Sequence, residues 1–266
     1  MPDGMPVRLR IQIGITRLRT RTLKALGLRE TVISARSALA RARRSSFERR
    51  GSARYSRPAL HDMDRQLDAI IDRDAGFFVE AGGHDGYTQS NTYYLERFRG
   101  WRGILVEPMP EMAGEARRNR PGARLFRCAL VPPELEGTEV EMEFGDLYTS
   151  VRGAREGVDT WIQGGLVLGW RDHRVERVPG RTLSSLLDEA RVDAVDLLSL
   201  DVEGYEEPVL RGLDLARHAP AWILVEMHDI DSGRAQVGAV LGERYVEHAQ
   251  LSPLDVLYRR VVEEAG

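Results

Sequence analysis

Phe77-Phe78-Val79-Glu80-Ala81-Gly82-Gly83-His84-Asp85-Gly86 is a short apolar run that ends in an acid and opens into a glycine-rich turn. It reads as a buried strand that delivers the chain to a ligand. The chain leaves the strand at Ala81, and Gly82, Gly83 and Gly86 remove the side chains that would keep a nucleotide-sized molecule away from the backbone. A helix pattern follows at once: Ser90 and Asn91 can cap it, and Leu95 and Phe98 fall three residues apart on one apolar face.

Working outward, Trp101-Arg102-Gly103-Ile104-Leu105-Val106-Glu107-Pro108 is a second buried-strand pattern, closed by an acid and stopped by proline. Glu107 lies 27 residues beyond Glu80. In a strand-helix-strand unit this places it at the carboxyl end of the neighbouring parallel strand, where a carboxylate accepts hydrogen bonds from both hydroxyls of a ribose. The turn does not match the dinucleotide fingerprint, which needs glycines at its first, third and sixth positions; counted from Gly82, the third is His84. The spacing therefore favours a nucleoside carrying an amino-acid tail over NAD.

Glu80-Ala81-Gly82 with Gly86, then Val106-Glu107-Pro108, then Leu200-Asp201-Val202-Glu203-Gly204-Tyr205-Glu206, then Leu224-Val225-Glu226 together resemble the FkbM-type methyltransferases. The resemblance spans about residues 62 to 230, and its most specific piece is Asp201-Val202-Glu203-Gly204. It implies the class I methyltransferase fold, which is Rossmann-like, and S-adenosyl-L-methionine as cofactor. It also implies that Glu80 and Gly82 approach the methionine part, that Glu107 holds the ribose, and that the strand end at Ala129 borders adenine. Asp85, Gly86 and Ser90, in the same turn, complete the expected cofactor-binding set. Many members carry a lysine just before the hydrophobic-Asp-Val-Glu-Gly run, where this chain has Ser199, so no role of that lysine carries over.

Strand and helix patterns alternate through the rest of the chain. Helices are expected at about 62–73, 90–99, 110–119, 182–190, 206–217 and 233–241. Strands are expected at 76–81, 103–107, 124–130, 195–200, 221–227, 244–247 and 255–259. Val140, Met142 and Phe144 alternate with Glu139, Glu141 and Glu143 as a further strand. Residues 145–173, rich in glycine and carrying Tyr148, Trp161 and Trp170, have little periodicity and read as an insertion that walls the substrate. Strands spaced by helices predict an α/β fold with a doubly wound, mostly parallel sheet, helices on both faces and ligands beyond the carboxyl ends of the strands.

Charge divides the chain. Residues 1–58 hold 15 Lys and Arg against Asp3, Glu30 and Glu48, whereas residues 59–266 are strongly acidic. The expected organisation is a basic arm, 1–58, joined to a methyltransferase domain, 59–266. The arm could contact phosphates or an anionic membrane, or pack on the acidic domain or on a second copy in a homo-oligomer. With only Phe47 and Tyr55 for stacking, it is a poor binder of single-stranded nucleic acid. No run approaches the length of a membrane span, and Arg8 and Arg10 are not followed by the apolar stretch of a secretory signal. Cys128 is the single cysteine, which rules out an internal disulfide and a cysteine-cluster metal site; it reads as a small buried hydrophobe in a cytoplasmic protein.

Acids gather at the predicted strand ends: Glu80 and Asp85, Glu107, Asp201 and Glu203, then Glu226 and Asp229. A sulfonium cofactor relieves their repulsion, and a divalent metal such as magnesium is an alternative cation. Methyl transfer to an alcohol needs a group to take the hydroxyl proton, and Asp201, Glu203, Glu226 and His228 are the candidate catalytic residues. The sequence has no P-loop and no nucleophile elbow, which ranks kinases and hydrolases low. The expectation is an O-methyltransferase acting on a small molecule, a sugar or a secondary metabolite. The competing reading is a non-catalytic scaffold of the same fold recruited by its basic arm.

Overall fold

The computed structural model describes residues 29–144, 149–153 and 174–262. Its framework is a sheet of seven strands among the described residues: β1 (Phe77–Ala81), β2 (Arg102–Val106), β3 (Arg124–Phe126), β8 (Leu197–Leu200), β9 (Trp222–Glu226), β10 (Tyr245–Gln250) and β11 (Asp255–Arg260). Their order is β10-β11-β9-β8-β1-β2-β3. The five from β9 to β3 run parallel, and β11 is antiparallel to both β9 and β10. The chain winds outward from β1 through β2 to β3, then crosses back to β8 and winds the other way. That reversal beside β1 opens a crevice at the carboxyl edge, where ligands bind in such sheets.

Alternation along the strands buries both faces. Val79, Ile104, Val106, Leu198, Leu200, Ile223 and Val225 pack on one side against α5 (Leu183–Ala190), α6 (Glu206–Arg211) and α7 (Ile230–Leu241). Phe78, Leu105, Leu197, Leu224 and Leu257 face the other way, toward α2 (Met63–Ile71), α3 (Tyr93–Phe98) and α4 (Pro110–Asn119). The two layers make the predicted doubly wound α/β architecture.

Several boundaries differ from the periodicity. The strand expected at 124–130 breaks at Arg127-Cys128 into β3 and β4 (Ala129–Leu130), which belong to different sheets. β4 joins β5 (Glu139–Phe144), β6 (Ser150–Val151) and β7 (Arg174–Arg181) in a second sheet ordered β4-β7-β5-β6. β7 escapes the sequence reading because only one side of Arg-Val-Glu-Arg-Val-Pro-Gly-Arg is buried, and its Pro179 and Gly180 look like a turn. The helix after β1 begins at Tyr93 rather than near Ser90, and α6 stops at Arg211. Tyr148, Trp161, Trp170 and most of the expected insertion lie outside the described residues. Within the arm, α1 (Arg29–Glu48) is helical, and its last turns meet the domain through an Arg41–Glu115 ion pair and through Glu48, which accepts from Tyr93 and Arg97. No helix among the described residues is long and apolar enough to cross a membrane.

Candidate active site

Strand register brings the motif residues level. Ala81 pairs with Val106 on one side and Leu200 on the other, so Gly82, Glu107 and Asp201, each one residue further on, end the three central strands together. The cleft they frame encloses about 900 Å³, including its open mouth. Glu80, Gly82, Ser90, Glu107, Ala129, Asp201 and Glu203 of the sequence-predicted set line it, with Cys128, Leu130 and Met142 adding apolar surface.

Glu107 is buried and accepts from the backbone N–H of Met109 at 2.8 Å. Burial raises its carboxyl pKa to about 7, against the lowering pull of the Met109 N–H and of His84. Facing the cleft from the end of β2, Glu107 has the lone pairs to accept from ligand hydroxyls as well. Glu80, by contrast, is saturated by its own chain: it accepts from Ser90 Oγ at 2.9 Å, the Asn91 N–H at 2.9 Å, Thr92 Oγ1 at 2.6 Å and Arg120 Nη1 at 3.3 Å. Its role in the fold is to fasten residues 90–92 beneath the cleft. Ser199, at the position of the missing lysine, accepts from Asn91 Nδ2 at 3.1 Å and helps hold the same segment.

Two of the cofactor-binding candidates do not reach the cleft wall. Asp85 folds back on its own turn, accepting from the N–H groups of Tyr87 and Thr88 and from Thr88 Oγ1. Burial opposes its ionisation, but His84 and these donors overcome it and hold the carboxyl far below the usual range. Gly86 lies against α4, where an added Cβ would sit 2.9 Å from Arg120 Cγ. Gly82 is required for a reason other than the expected one. At φ +83° an added Cβ would lie 1.8 Å from the Asp201 carbonyl oxygen, so it is the neighbouring strand, not a ligand, that demands glycine there.

The β8–β9 edge carries the acids. Asp201 shares a side-chain hydrogen bond with Glu226, and burial, followed by the charges of Glu226 and Glu203, pushes its pKa well above the ordinary value. Glu203 takes a left-handed backbone, φ +57°, which aims its Oε2 at His228 Nε2, 2.7 Å away. Glu226 and His228 do not line the main cleft. His228 stands past the end of β9 and opens onto an adjoining cavity with Glu206, Glu207 and Asp229. The catalytic candidates thus form two linked pairs, Asp201–Glu226 and Glu203–His228. No group of three or more His, Cys, Asp or Glu among the described residues is arranged to hold a metal ion. Cys128 is buried in the cleft wall with its thiol pushed up to about 12 by burial, which leaves it an inert hydrophobe.

Arg120 is the residue the sequence reading missed. It is fully buried one position past α4, and it donates to Glu96, Glu80, Ser90, Thr92 and the Gly86 carbonyl, linking β1, α3 and the turn around a single guanidinium. Its setting in Arg117-Arg118-Asn119-Arg120 looks like an ordinary basic helix end.

A family model described as the methyltransferase FkbM domain matches residues 80–254, from the acid of β1 to just before β11. The chain belongs to the FkbM methyltransferase family. Family and fold together make it an S-adenosylmethionine-dependent methyltransferase. The cleft fits that cofactor in its buried carboxylate, its apolar wall and its volume. Similar solved structures include a TehB-like S-adenosylmethionine-dependent methyltransferase from Corynebacterium glutamicum, 15% identical over 86% of this chain and 100% of that one, TM-score 0.41. Another is a methyltransferase from Aquifex aeolicus, 14% identical over 78% of this chain and 93% of that one, TM-score 0.42. An RNA methyltransferase from Salinibacter ruber in complex with S-adenosyl-L-homocysteine is 17% identical over 77% of this chain and 92% of that one, TM-score 0.36. No curated protein matches the chain significantly.

Proposed function

We propose that this FkbM-family chain is an O-methyltransferase that methylates a hydroxyl of a small molecule, a sugar or a secondary metabolite. The observation that carries this reading is Asp201, a carboxyl group of raised pKa in the same cleft as the buried Glu107. S-adenosylmethionine, when bound, supplies a methyl group activated by a sulfonium. The chain's own residues do the rest. Glu107 would hold the ribose hydroxyls, and Ala129, Leu130 and Met142 would border the adenine. Asp201 would take the acceptor's hydroxyl proton, its basicity raised by burial and then by Glu226. Glu203 is steadied by His228 and can orient the acceptor. The acidic domain favours a neutral or cationic acceptor over a phosphate backbone.

Incubation with S-adenosylmethionine labelled in the methyl group, and with panels of sugars, polyols and phenols, tests the proposal. Label in an alkali-stable ether on one panel member is expected; label only on nitrogen, carbon or RNA would overturn it.

A further inference from the structure

α1 ends 32 residues before the stretch matched by the family model begins at 80, yet it reaches the back of the cofactor turn. Arg44, 5% exposed, lays its guanidinium 3.6 Å from the centroid of the Tyr87 ring and 5.0 Å from that of Tyr93. The two rings meet edge to face at 5.0 Å. Arg44 Nη2 donates to Asn119 Oδ1 at 2.7 Å, and Asn119 Nδ2 donates onward to the Asp85 carbonyl at 2.7 Å. The Tyr87 hydroxyl donates to the Tyr55 carbonyl at 2.7 Å. Tyr87 is thus held directly by residues that precede the matched domain, and Asp85 is held by Asn119, which Arg44 braces in turn. The next four residues, Thr88, Gln89, Ser90 and Asn91, line the cleft.

A guanidinium stacked on an aromatic face away from water is among the stronger cation–π contacts, and its planar fork can satisfy an amide at the same time, which a lysine ammonium cannot do in the same geometry. Arg41 provides a built-in contrast. It docks the same helix by its ion pair with Glu115 on α4 and makes no bond to the turn.

We infer that Arg44 is a positioning residue for the cofactor site: by stacking on Tyr87 and holding Asn119 against Asp85, it fixes the 85–91 wall of the cleft. The segment ahead of the family domain then sets part of the affinity for S-adenosylmethionine. The inference rests on the placement of that cofactor in the cleft.

The test is calorimetric titration of S-adenosylhomocysteine into the full chain, with thermal melting of each ligand-free variant in parallel. Arg44→Met should weaken binding by about tenfold, the scale of a modest coupling free energy, with Arg44→Lys in between. Tyr87→Leu should reproduce the loss, and adding it to Arg44→Met should weaken binding no further. Arg41→Met should bind like the parent even where its melting temperature falls. Parent-like binding in Arg44→Met and Tyr87→Leu, or an equal loss in Arg41→Met, overturns the role of Arg44. Should Arg44→Met fail to fold, Arg44→Lys and Tyr87→Leu decide on the same terms. Glu107→Ala separates the two claims. Retained binding there contradicts the placement of the cofactor, whereas its loss beside parent-like binding in Arg44→Met contradicts Arg44 alone.

Discussion

Around Glu80, on β1, the buried charges are paired off within the chain, whereas at the β8–β9 edge they crowd one another. Glu80 meets Arg120 and three further donors, and Arg120 meets Glu96 in turn. Asp201 instead leans on Glu226 with Glu203 close by, and Asp255, opposite Glu226 in the sheet, is also raised, chiefly by burial. A saturated network fixes geometry. A crowded one keeps a proton close to release. The first suits a binding wall and the second suits proton transfer, and the register of three parallel strands sets them side by side.

The contrast breaks most visibly at Arg120. Replacing it with Met strands two buried carboxylates, and the expected loss is about 3 to 5 kcal/mol of unfolding free energy by urea denaturation at neutral pH. Parent-like stability would show that the network is decorative. At the other edge, Asp201→Asn and Glu203→Gln should each fold and bind cofactor normally while turnover drops roughly 10²-fold, as loss of a general base or its partner does. In the parent, turnover should rise with pH as the proton shared near Asp201 leaves. Unchanged turnover in both variants would move the base to His228. The mildest substitution sharpens the account of the turn. An added Cβ at Gly83 meets Leu105 at 3.5 Å and the Val106 carbonyl oxygen at 3.7 Å, ordinary contacts, so Gly83→Ala should change stability by less than about 1 kcal/mol. A larger loss would mean that the turn tolerates nothing, as Gly82 does not.

Legibility in the sequence followed the same division. β1, β2, α4 and β8 are local apolar patterns with clear stops, so their positions and the acids at their ends could be read directly. Buried pairing could not. Arg120 and Arg118 look alike in the chain, yet one is buried at the centre of the turn's support and the other sits on the surface. The glycines announced a tight turn, but which of them faces a strand, a helix or open space depends on elements more than 30 residues away, Asp201 for Gly82 and Arg120 for Gly86. β7 was hidden because its partner is β5, across a long insertion, and an edge-like pattern with proline carries little signal alone. The pairing of Glu203 with His228 depends on a left-handed residue after a strand end, which Gly204 hints at but does not specify.

The central claim is that Glu107 awaits the hydroxyls of a ribose. Burial raises its pKa to about 7 in the free protein, and donated hydrogen bonds favour the ionised form, so binding must release a proton. Affinity for S-adenosylhomocysteine, measured calorimetrically between about pH 5.5 and 8.5, should therefore rise by up to about tenfold per pH unit below 7 and level off above it. Glu107→Gln should bind more weakly by about 2 kcal/mol or more and lose that dependence. Equal affinity in the parent and Glu107→Gln, with no bend near pH 7 in either, would contradict the account.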